Sequence, residues 1–262
     1  MARVRLDTLL VERGHFESRS RAAAALIAGD VRVGAGGAAG KPGQLVATDV
    51  ALELRDAPAY VSRGGVKLSN ALDELGFDPA GRRCLDVGAS TGGFTDCLLQ
   101  RGAEHVVALD VGYGELHWRL RGDARVTVME RVNARALDPA ALPYRPDLVV
   151  VDVSFISVRT VLGPVLAAAA DRFDCLALVK PQFEVGRERL GRGGVVRSAE
   201  HRREALVTVA GTARELGHAL LGFASSGLPG PAGNRETFAW IAEGGRPGAF
   251  DDVEGAARRV EP

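Results

Sequence analysis

Cysteine, net charge, aromatic residues and long apolar runs are all scarce in this 262-residue sequence. Its three cysteines are odd in number, and Cys84 and Cys175 lie within apolar runs, which favours buried free thiols over a disulfide framework. No group of cysteines and histidines has the spacing of metal ligands, so we expect no bound metal. Together these features predict a protein of the reducing cytoplasm.

The apolar runs are also too short for a membrane protein. The longest, residues 161–170, cannot cross a bilayer, and the first residues carry charges where a signal peptide needs an apolar core. Lys plus Arg and Asp plus Glu both number 33, so any nucleic-acid binding must come from local basic patches. Aromatic residues make up only 5%, which does not indicate a surface built for stacking bases. We expect no membrane partner.

A strand, a tight turn and the start of a helix follow one another between Cys84 and Thr95. An apolar run reaches Asp86, and the turn after it has the spacing Gly-x-x-x-Gly-Gly. Such a turn brings bare backbone N–H groups and a helix N-terminus to one point, which suits a nucleotide-like ligand. The next apolar run ends at Asp110, whose carboxylate can accept the hydroxyls of a ribose. Since the spacing is not the Gly-x-Gly-x-x-Gly of dinucleotide binders, we expect S-adenosylmethionine (SAM) rather than NAD.

The periodicity predicts two folded parts. From Arg83 onward, strand and helix patterns alternate, which is typical of an α/β fold with a parallel sheet covered on both faces. Residues from about 244 are polar and predict a loosely ordered tail. Residues 1 to about 55 predict a small unit of two helices, the second capped by Ser18 and ended by Gly29, with strands at 31–33 and 46–54.

Charged residues end several of the apolar strands. Asp152 and Lys180 each follow a strongly apolar run, at the edge of an α/β sheet where ligands bind. A single charge there can simply reach water, but two of opposite sign on successive strands favour a site. Glu236 reaches the same edge if the last strand lies beside the fifth strand counted from Arg83, which is the one before Lys180. Lys67 taken alone is typical of a surface lysine. Amino-methylating enzymes commonly have Asn/Asp-Pro-Pro-aromatic after the fourth strand, and its replacement here by Asp152-Val153-Ser154-Phe155 favours a hydroxyl acceptor.

The small unit resembles an S4 RNA-binding domain over residues 3–54. The matching stretches are Arg5-Leu6-Asp7, Ser18-Arg19-Ser20-Arg21, Ile27 to Val33 and Lys41-Pro42. Before this resemblance is considered, Arg19 and Arg21 at the helix start could equally bind a phosphate or form a solvated helix face. The resemblance implies that the RNA contacts are Arg5, Ser18, Arg19, Arg21 and Lys41.

The series Lys67, Asp152, Lys180, Glu236 matches the Lys-Asp-Lys-Glu tetrad of FtsJ-like ribose 2′-O-methyltransferases. With the S4-like unit in front, the whole chain resembles the TlyA family, also named hemolysin A. Six blocks carry this resemblance in order: Ser62 to Leu68, Asp86 to Thr95, Asp110 to Gly114, Val151 to Ser157, Leu178 to Glu184 and Gly233 to Glu236. It implies a Rossmann-like SAM-dependent methyltransferase that modifies a ribose 2′-hydroxyl, on cytidine, in the rRNA of ribosomal subunits.

The resemblance also implies roles for single residues. The tetrad would be catalytic, and the cofactor would contact Asp86, Gly88, Ala89, Ser90, Thr91, Gly92, Gly93, Phe94, Asp110, Asn133 and Asp152. A lysine with its ordinary pKa of about 10.4 is protonated at neutral pH, so a base role needs a lowered pKa. Burial and a second lysine lower a lysine pKa, and a carboxylate opposes them. We hypothesise that Lys180 accepts the proton with Asp152 orienting it, while Lys67 and Glu236 position and tune the site.

Residues 183–203 follow Lys180 directly and are rich in arginine and glycine. They form either a mobile basic loop that touches the RNA backbone or a solvated, charge-balanced surface loop. In the first case the contacts would include Arg187, Arg189 and Arg192.

We therefore expect an S4-like RNA-binding domain (1–58), a linker (59–63), an FtsJ-like methyltransferase domain (64–250) and a polar tail (251–262). The first alternative function is a non-catalytic RNA-binding or ribosome-associated protein. A membrane-lytic hemolysin is the second, although neither a membrane span nor a strongly amphipathic cationic helix supports it.

Overall fold

The computed structural model describes residues 3–16, 18–34, 37–54 and 59–261. The chain divides into two compact units, Met1–Pro58 and Ala59–Pro262. Residues 55–58, which include the predicted end of the first domain, lie outside the described residues.

The first unit combines short helices with short antiparallel strands. In chain order its elements are β1 (Arg3–Arg5), α1 (Leu6–Glu12), α2 (Arg19–Ala28), β2 (Val31–Val33), β3 (Ala38–Ala39), β4 (Leu45–Ala47) and β5 (Leu52–Leu54). Strand β1 pairs with β4, and a second sheet has the order β3-β2-β5. The core between helices and strands is formed by Leu6, Leu9, Leu10, Ala22, Leu26, Val31 and Val46.

The helix signals of this unit are confirmed, and one strand is not. Ser18 caps α2, because its Oγ accepts a hydrogen bond from the backbone N–H three residues later, and Gly29 ends the helix at φ +80°. The predicted strand over 46–54 is wrong in extent: it is broken into β4 and β5. The backbone turns between them, where the N–H of Val50 donates to the carbonyl of Ala47.

The second unit is built on a seven-stranded sheet. Its elements are α3 (Arg63–Leu75), β6 (Arg83–Val87), α4 (Gly93–Gln100), β7 (His105–Asp110), α5 (Trp118–Arg121), β8 (Val126–Glu130), β9 (Leu148–Val151), α6 (Arg159–Ala168), β10 (Asp174–Val179), α7 (Pro181–Glu184), α8 (Ala199–Glu215), β11 (Ala219–Ser225), β12 (Thr237–Ala242) and α9 (Val253–Val260). The strand order is β11-β12-β10-β9-β6-β7-β8. The strands from β10 to β8 are parallel, and β12 runs antiparallel to both of its neighbours.

Both faces of this sheet are covered, which explains its continuous apolar runs. In β9 the four residues from Leu148 to Val151 are all 0% exposed. Val149 and Val151 pack on one face with α6 and α8, whereas Leu148 and Val150 pack on the other with α3 and α4. A strand buried on two sides has no position for a polar side chain. The predicted α/β fold is confirmed.

The register of β12 determines what lies at the carboxyl edge of the sheet. Thr237 at the start of β12 pairs with Val179 at the end of β10. Lys180 directly follows Val179 and Glu236 directly precedes Thr237, so both residues lie at the same edge of the sheet. The last strand, β12, therefore lies beside β10, the fifth strand counted from Arg83. This is the pairing that the sequence analysis required for Glu236 to reach this edge.

The sequence predicts a polar, loosely ordered tail over 251–262. For residues 251–261, which the structure describes, this prediction is wrong. Residues Val253–Val260 form α9, and Asp252 caps it by accepting the N–H of Gly255 at 2.8 Å. Val253, Ala256 and Ala257 are buried, since the spacing i, i+3, i+4 places them on one face of the helix. This segment is therefore part of the folded unit.

Candidate active site

Lys180, directly after β10, directs its ammonium group at two oxygens. Its Nζ lies 2.5 Å from Oδ1 of Asp152, which follows β9, and donates to Oγ of Ser154 at 2.7 Å. Lys180 is only 9% exposed. Its direction is thus fixed by protein groups and not by solvent.

Lys67 forms the second lysine–carboxylate contact. Its Nζ lies 2.5 Å from Oε2 of Glu236, and the two residues are 6% and 2% exposed. The other oxygen of Glu236, Oε1, is buried and has no hydrogen-bond partner among the described residues. A Cβ at Gly230 would overlap this oxygen, so the glycine leaves it the space it occupies. Glu236 therefore keeps one acceptor atom for a ligand.

All four residues line one cavity of about 770 Å³. The sequence places them 85, 28 and 56 positions apart, and the sheet edge brings them together with the turn that follows β6. Within the described part of the chain, no three His, Cys, Asp or Glu side chains cluster as metal ligands would. The charged residues that line this cavity include the two lysines, each facing a carboxylate, and also Arg63 and Asp86.

Three backbone N–H groups of the turn after β6 already donate hydrogen bonds to residues of β7. The N–H groups of Gly88 and Ala89 donate to the same carbonyl in β7, at 2.8 and 3.1 Å, and that of Ser90 donates to Asp110 Oδ2 at 2.8 Å. The expectation of bare N–H groups is therefore wrong for these three. Gly88 instead permits close approach, because it has φ +85° and a Cβ there would overlap the carbonyl oxygen of Asp152.

Asp86 lies fully buried beneath this turn. Its Oδ2 accepts the N–H of Thr95 at 2.9 Å and its hydroxyl at 2.6 Å, whereas Oδ1 has no partner among the described residues. Burial raises the pKa of Asp86 to about 7, against the lowering effect of the Thr95 hydrogen bonds and with a further contribution from Asp152. Since Asp86 borders the cavity, its open oxygen is placed to pair with a cationic group of a ligand.

A second cavity, of about 410 Å³, adjoins the first and shares Gly88, Ser90 and Asp152 with it. Asp110 lines its wall, and its carboxylate is fixed by the N–H groups of Ser90 and Gly112, the latter at 2.7 Å. Each carboxylate oxygen has a further lone pair, so Asp110 can still accept hydroxyl groups. Asn133 borders the same cavity. This shape and polarity suit a nucleoside.

The remaining predicted cofactor residues divide into two groups. Gly92 is not among the described residues that line either cavity; a Cβ there would meet Leu116 and Leu120, so this glycine makes room for packing. Gly93 borders the first cavity, and a Cβ on it would lie 2.8 Å from the backbone nitrogen of Gly65 in α3. Three others line the first cavity, namely Ala89, Thr91 and Phe94.

Two residues that border both cavities were not predicted as site residues. Ser154 holds Lys180, and Phe155 is 89% exposed at the non-glycine φ of +67°. The ring of Phe155 lies 5.6 Å from that of Phe183, centroid to centroid. A large apolar residue three positions after a strand-end acid is the sequence signal that could have indicated this role.

Glu184 in α7 is a further residue that the sequence did not single out. Its carboxylate accepts the hydroxyl of Ser157 at 2.6 Å and the N–H of Val158 at 2.8 Å, and its side chain is 1% exposed. These bonds fasten the loop after β9 to the segment after β10. The two strand ends that carry Asp152 and Lys180 are therefore linked a second time.

The predicted RNA contacts of the first unit lie on its surface. Arg5 and Arg19 are exposed and both approach Asp7, with nitrogen–oxygen distances of 2.7 and 3.6 Å. The hydrogen bond from Arg5 is the main cause that lowers the pKa of Asp7 to about 2. Arg21 and Lys41 are also exposed. Ser18 is half-buried, and its Oγ accepts the capping hydrogen bond from the N–H of Arg21.

The other three candidates, Arg187, Arg189 and Arg192, are exposed on the loop between α7 and α8. Arg189 pairs with Glu204. Gly193 and Gly194 of the same loop line the first cavity. The loop thus carries the three arginines and also contributes to the cavity wall.

Comparison with known proteins accounts for this arrangement. Residues 60–242 match the FtsJ-like methyltransferase family. The chain belongs to this family. The 16S/23S rRNA (cytidine-2′-O)-methyltransferase TlyA of Mycobacterium tuberculosis is 51% identical over 241 residues, covering 91% of this chain and 90% of that protein.

Solved structures agree with this FtsJ-like assignment. A protein described as a hemolysin from Streptococcus thermophilus superposes with a TM-score of 0.73 and 36% identity, covering 99% of this chain and 96% of that one. A SAM-dependent methyltransferase from Mesorhizobium loti, with a TM-score of 0.51 and 18% identity over 69% of this chain and 99% of that one, shows the shared fold alone.

An FtsJ-like methyltransferase implies SAM as the methyl donor, and the two cavities fit it. The open oxygen of buried Asp86 suits the α-ammonium of the methionine part. Asp110 suits the ribose hydroxyls, and the second cavity offers the space for the adenine base. Gly88, with no Cβ, lets the turn approach the segment that carries Asp152.

Proposed function

We propose that this chain transfers a methyl group from SAM to a ribose 2′-hydroxyl of ribosomal RNA. The observation that carries the proposal is the pair of lysine–carboxylate contacts in a cavity that adjoins the nucleoside-shaped one. The name of the M. tuberculosis relative specifies cytidine in 16S and 23S rRNA. We extend that acceptor, within ribosomal subunits in the cytoplasm, to this chain.

Lys180 is placed to handle the proton of the acceptor hydroxyl. Asp152 Oδ1 and Ser154 Oγ fix two directions around its Nζ, which leaves the third for the hydroxyl oxygen. As a neutral amine Nζ takes the hydroxyl proton, and the Asp152 carboxylate then stabilises the ammonium that forms. The oxygen becomes a better nucleophile as the proton leaves.

Lys67 and Glu236 would position the acceptor ribose. The charge-assisted contact between them fixes the Glu236 carboxylate in a buried wall. Its second oxygen, Oε1, can then accept a hydrogen bond from a sugar hydroxyl. Holding the nucleophile in line with the methyl donor is itself a large part of such catalysis, because it replaces a rare encounter by a fixed geometry.

The bound cofactor supplies a methyl group on a positively charged sulfonium. Asp86 would hold its ammonium and Asp110 its ribose, with Gly88, Ala89, Ser90, Thr91, Gly93, Phe94 and Asn133 forming the surrounding walls. Gly92 would support this turn through packing alone.

RNA recognition would combine an aromatic contact with local basic patches. The exposed ring of Phe155 offers a stacking face for the base of the acceptor nucleotide at the mouth of the cavity. Arg187, Arg189 and Arg192 would contact phosphates beside it. The S4-like first unit would add contacts through Arg5, Ser18, Arg19, Arg21 and Lys41.

The test is transfer of labelled methyl from SAM to unmodified small and large ribosomal subunits. Wild type is compared with Asp152→Ala and with the matched control Asp171→Ala, whose carboxylate is 94% exposed on the opposite edge of the sheet. We expect alkali-resistant ribose label with wild type and the control, and a loss of at least about 100-fold with Asp152→Ala, because Lys180 loses its partner. SAM binding is measured in parallel.

Label on bases instead of ribose would refute the acceptor assignment. No transfer to either subunit, with SAM still bound, would favour the alternative of a non-catalytic RNA-binding protein. The membrane-lytic alternative finds no support in the described residues, where no helix has the length and apolar character to cross a bilayer.

A further inference from the structure

A buried ion pair joins α8 to the segment that follows α9. Nε of Arg202 donates to Oε2 of Glu261 at 2.8 Å, and the two residues are 8% and 5% exposed. Glu261 Oε1 lies 3.5 Å from the hydroxyl of Thr237, the residue after Glu236, and the Glu261 carbonyl accepts from Nη1 of Arg203 at 3.1 Å. Two charges taken out of water in this way persist only when they are well bonded.

The same arginine holds the loop that borders the active cavity. Nη1 of Arg202 donates to the carbonyl of Arg197 at 2.8 Å and to that of Val196 at 3.4 Å. From the other side, the amide of Asn234 accepts the N–H of Val196 at 2.8 Å and donates to the carbonyl of Gly194 at 3.0 Å. The loop at residues 191–197 is thus fastened between Arg202 and Asn234.

This loop reaches the reacting groups. Gly193 and Gly194 line the same cavity as Lys180 and Glu236. Both glycines have positive φ, 76° and 75°, and a Cβ on either would meet nothing within 4 Å, so the loop has no side-chain packing of its own at this point. The position of the two glycines depends on the hydrogen bonds at the ends of the loop and on the buried side chain of Val196.

We propose that Glu261 is a positioning residue for methyl transfer, which through Arg202 holds the loop at residues 191–197 against the cavity that receives the acceptor nucleotide. That the cavity receives an acceptor nucleotide rests on the proposed function. That Glu261 and Arg202 hold the loop does not depend on it. The proposal assigns a role in catalysis to residues 251–262, whose composition predicts only a polar tail. In the described part of the chain, Glu261 lines neither cavity and makes no hydrogen bond or ion pair with a tetrad side chain, so its effect is expected on the acceptor side.

The variants are Glu261→Gln, which keeps the shape and removes the charge, and Arg202→Lys, which keeps the charge and cannot make all three bonds. Glu254→Gln is the matched control, because Glu254 forms an exposed pair with Arg258 at 3.3 Å on the same helix. Each protein is tested in full length for thermal stability, SAM affinity and methyl transfer. Brief trypsin treatment, with the cut sites identified by mass spectrometry, reports how often the loop opens after Arg192 and Arg197.

We expect Glu261→Gln and Arg202→Lys to raise cleavage after these two arginines about tenfold. Well below the melting temperature, kcat/KM for the ribosomal subunit should fall about tenfold, with SAM affinity within about twofold of wild type. Glu254→Gln should match wild type throughout. A uniform rise in cleavage along the chain, with unchanged kcat/KM of the folded fraction, would show a purely structural pair and overturn the proposal.

Unchanged loop cleavage in both variants would overturn it as well, whatever the activity. If the wild-type protein bound SAM and methylated no ribosomal particle, the proposed function would fail on its own account. The cleavage pattern, which needs no acceptor, would still decide whether Glu261 holds the loop.

Discussion

Asp86 shows how one buried carboxyl group can couple ligand binding to pH. Burial raises its pKa to about 7, and Oδ1 is left without a partner among the described residues. The folded protein therefore binds a proton at this site more tightly than the unfolded chain does. Stability from this group falls as pH rises from about 4 to about 7 and is constant above that. An ammonium group at Oδ1 would reverse the preference and favour the carboxylate.

We therefore predict that SAM affinity decreases as the pH falls below about 7, by up to about tenfold per unit, because protonated Asp86 cannot pair with the ammonium. Asp86→Asn should lower the affinity at pH 8 and remove most of this dependence. Calorimetric titrations at pH 5.5, 6.5 and 8 measure both effects. The five histidines are unchanged in the variant. An equally steep pH dependence in Asp86→Asn would assign the proton to a different group and contradict the prediction.

At the scale of elements, the site depends on a close crossing of two helix starts. A Cβ on Gly93 at the start of α4 would lie 2.8 Å from the backbone nitrogen of Gly65 and 3.2 Å from Cα of Gly64, both in α3. α3 also carries Lys67, so any separation of the two helices displaces a lysine of the tetrad. The side-chain Oγ of Ser62 lies nearer still to such a Cβ and could rotate away, but these two backbone atoms could not.

We predict that Gly93→Ala lowers the free energy of unfolding by about 1–3 kcal/mol, because the backbone must shift to admit one methyl group. Methyl transfer should fall at least about tenfold in the folded enzyme. The matched control is Gly211→Ala within α8, where a Cβ meets nothing within 4 Å; it should stabilise the protein by about 0.5–1 kcal/mol. Urea titrations and initial rates measure both. Equal stability of the two variants would show that the crossing is not tight in solution.

The elements differ in how far the sequence predicts them. The strand that ends at Asp110 and the strands directly followed by Asp152 and Lys180 are apolar runs closed by a charge. This is a local signal that needs no knowledge of the neighbouring strands. The position of Glu236 depends on which strand β12 joins, and that pairing spans some 60 residues. Sequence alone could state it only as a condition.

The segment after β12 illustrates the opposite case. The helix α9 buries only one valine and two alanines, so its apolar signal is weak beside six charged residues between 251 and 261. Glu261 is buried because Arg202 reaches it, 59 positions away. Similarly, the N–H groups of the glycine turn looked free because their acceptors lie in another strand. Contacts between elements that are distant in sequence decide each of these features.

At the scale of the whole molecule, net charge provides little long-range attraction for RNA. The formal net charge is zero, and residues 1–58 contain eight Lys and Arg against seven Asp and Glu. Long-range steering by either unit is therefore weak. Under the proposed function, RNA is bound by a few local contacts in each unit, which are individually weak at physiological salt. Joining two such weak sites in one chain raises the effective concentration of the second once the first has bound.

We predict that residues 59–262, produced alone, bind SAM as the full chain does and methylate ribosomal subunits with kcat/KM lower by about 100-fold or more. Residues 1–58 added separately should not restore the rate, because the gain comes from the covalent link. Lys41→Ala in the full chain should cause a smaller loss and make the dependence of affinity on salt shallower by about one phosphate contact. Restoration of full activity by the separate first unit would instead mean that it activates the second by contact, and the tethering argument would be wrong.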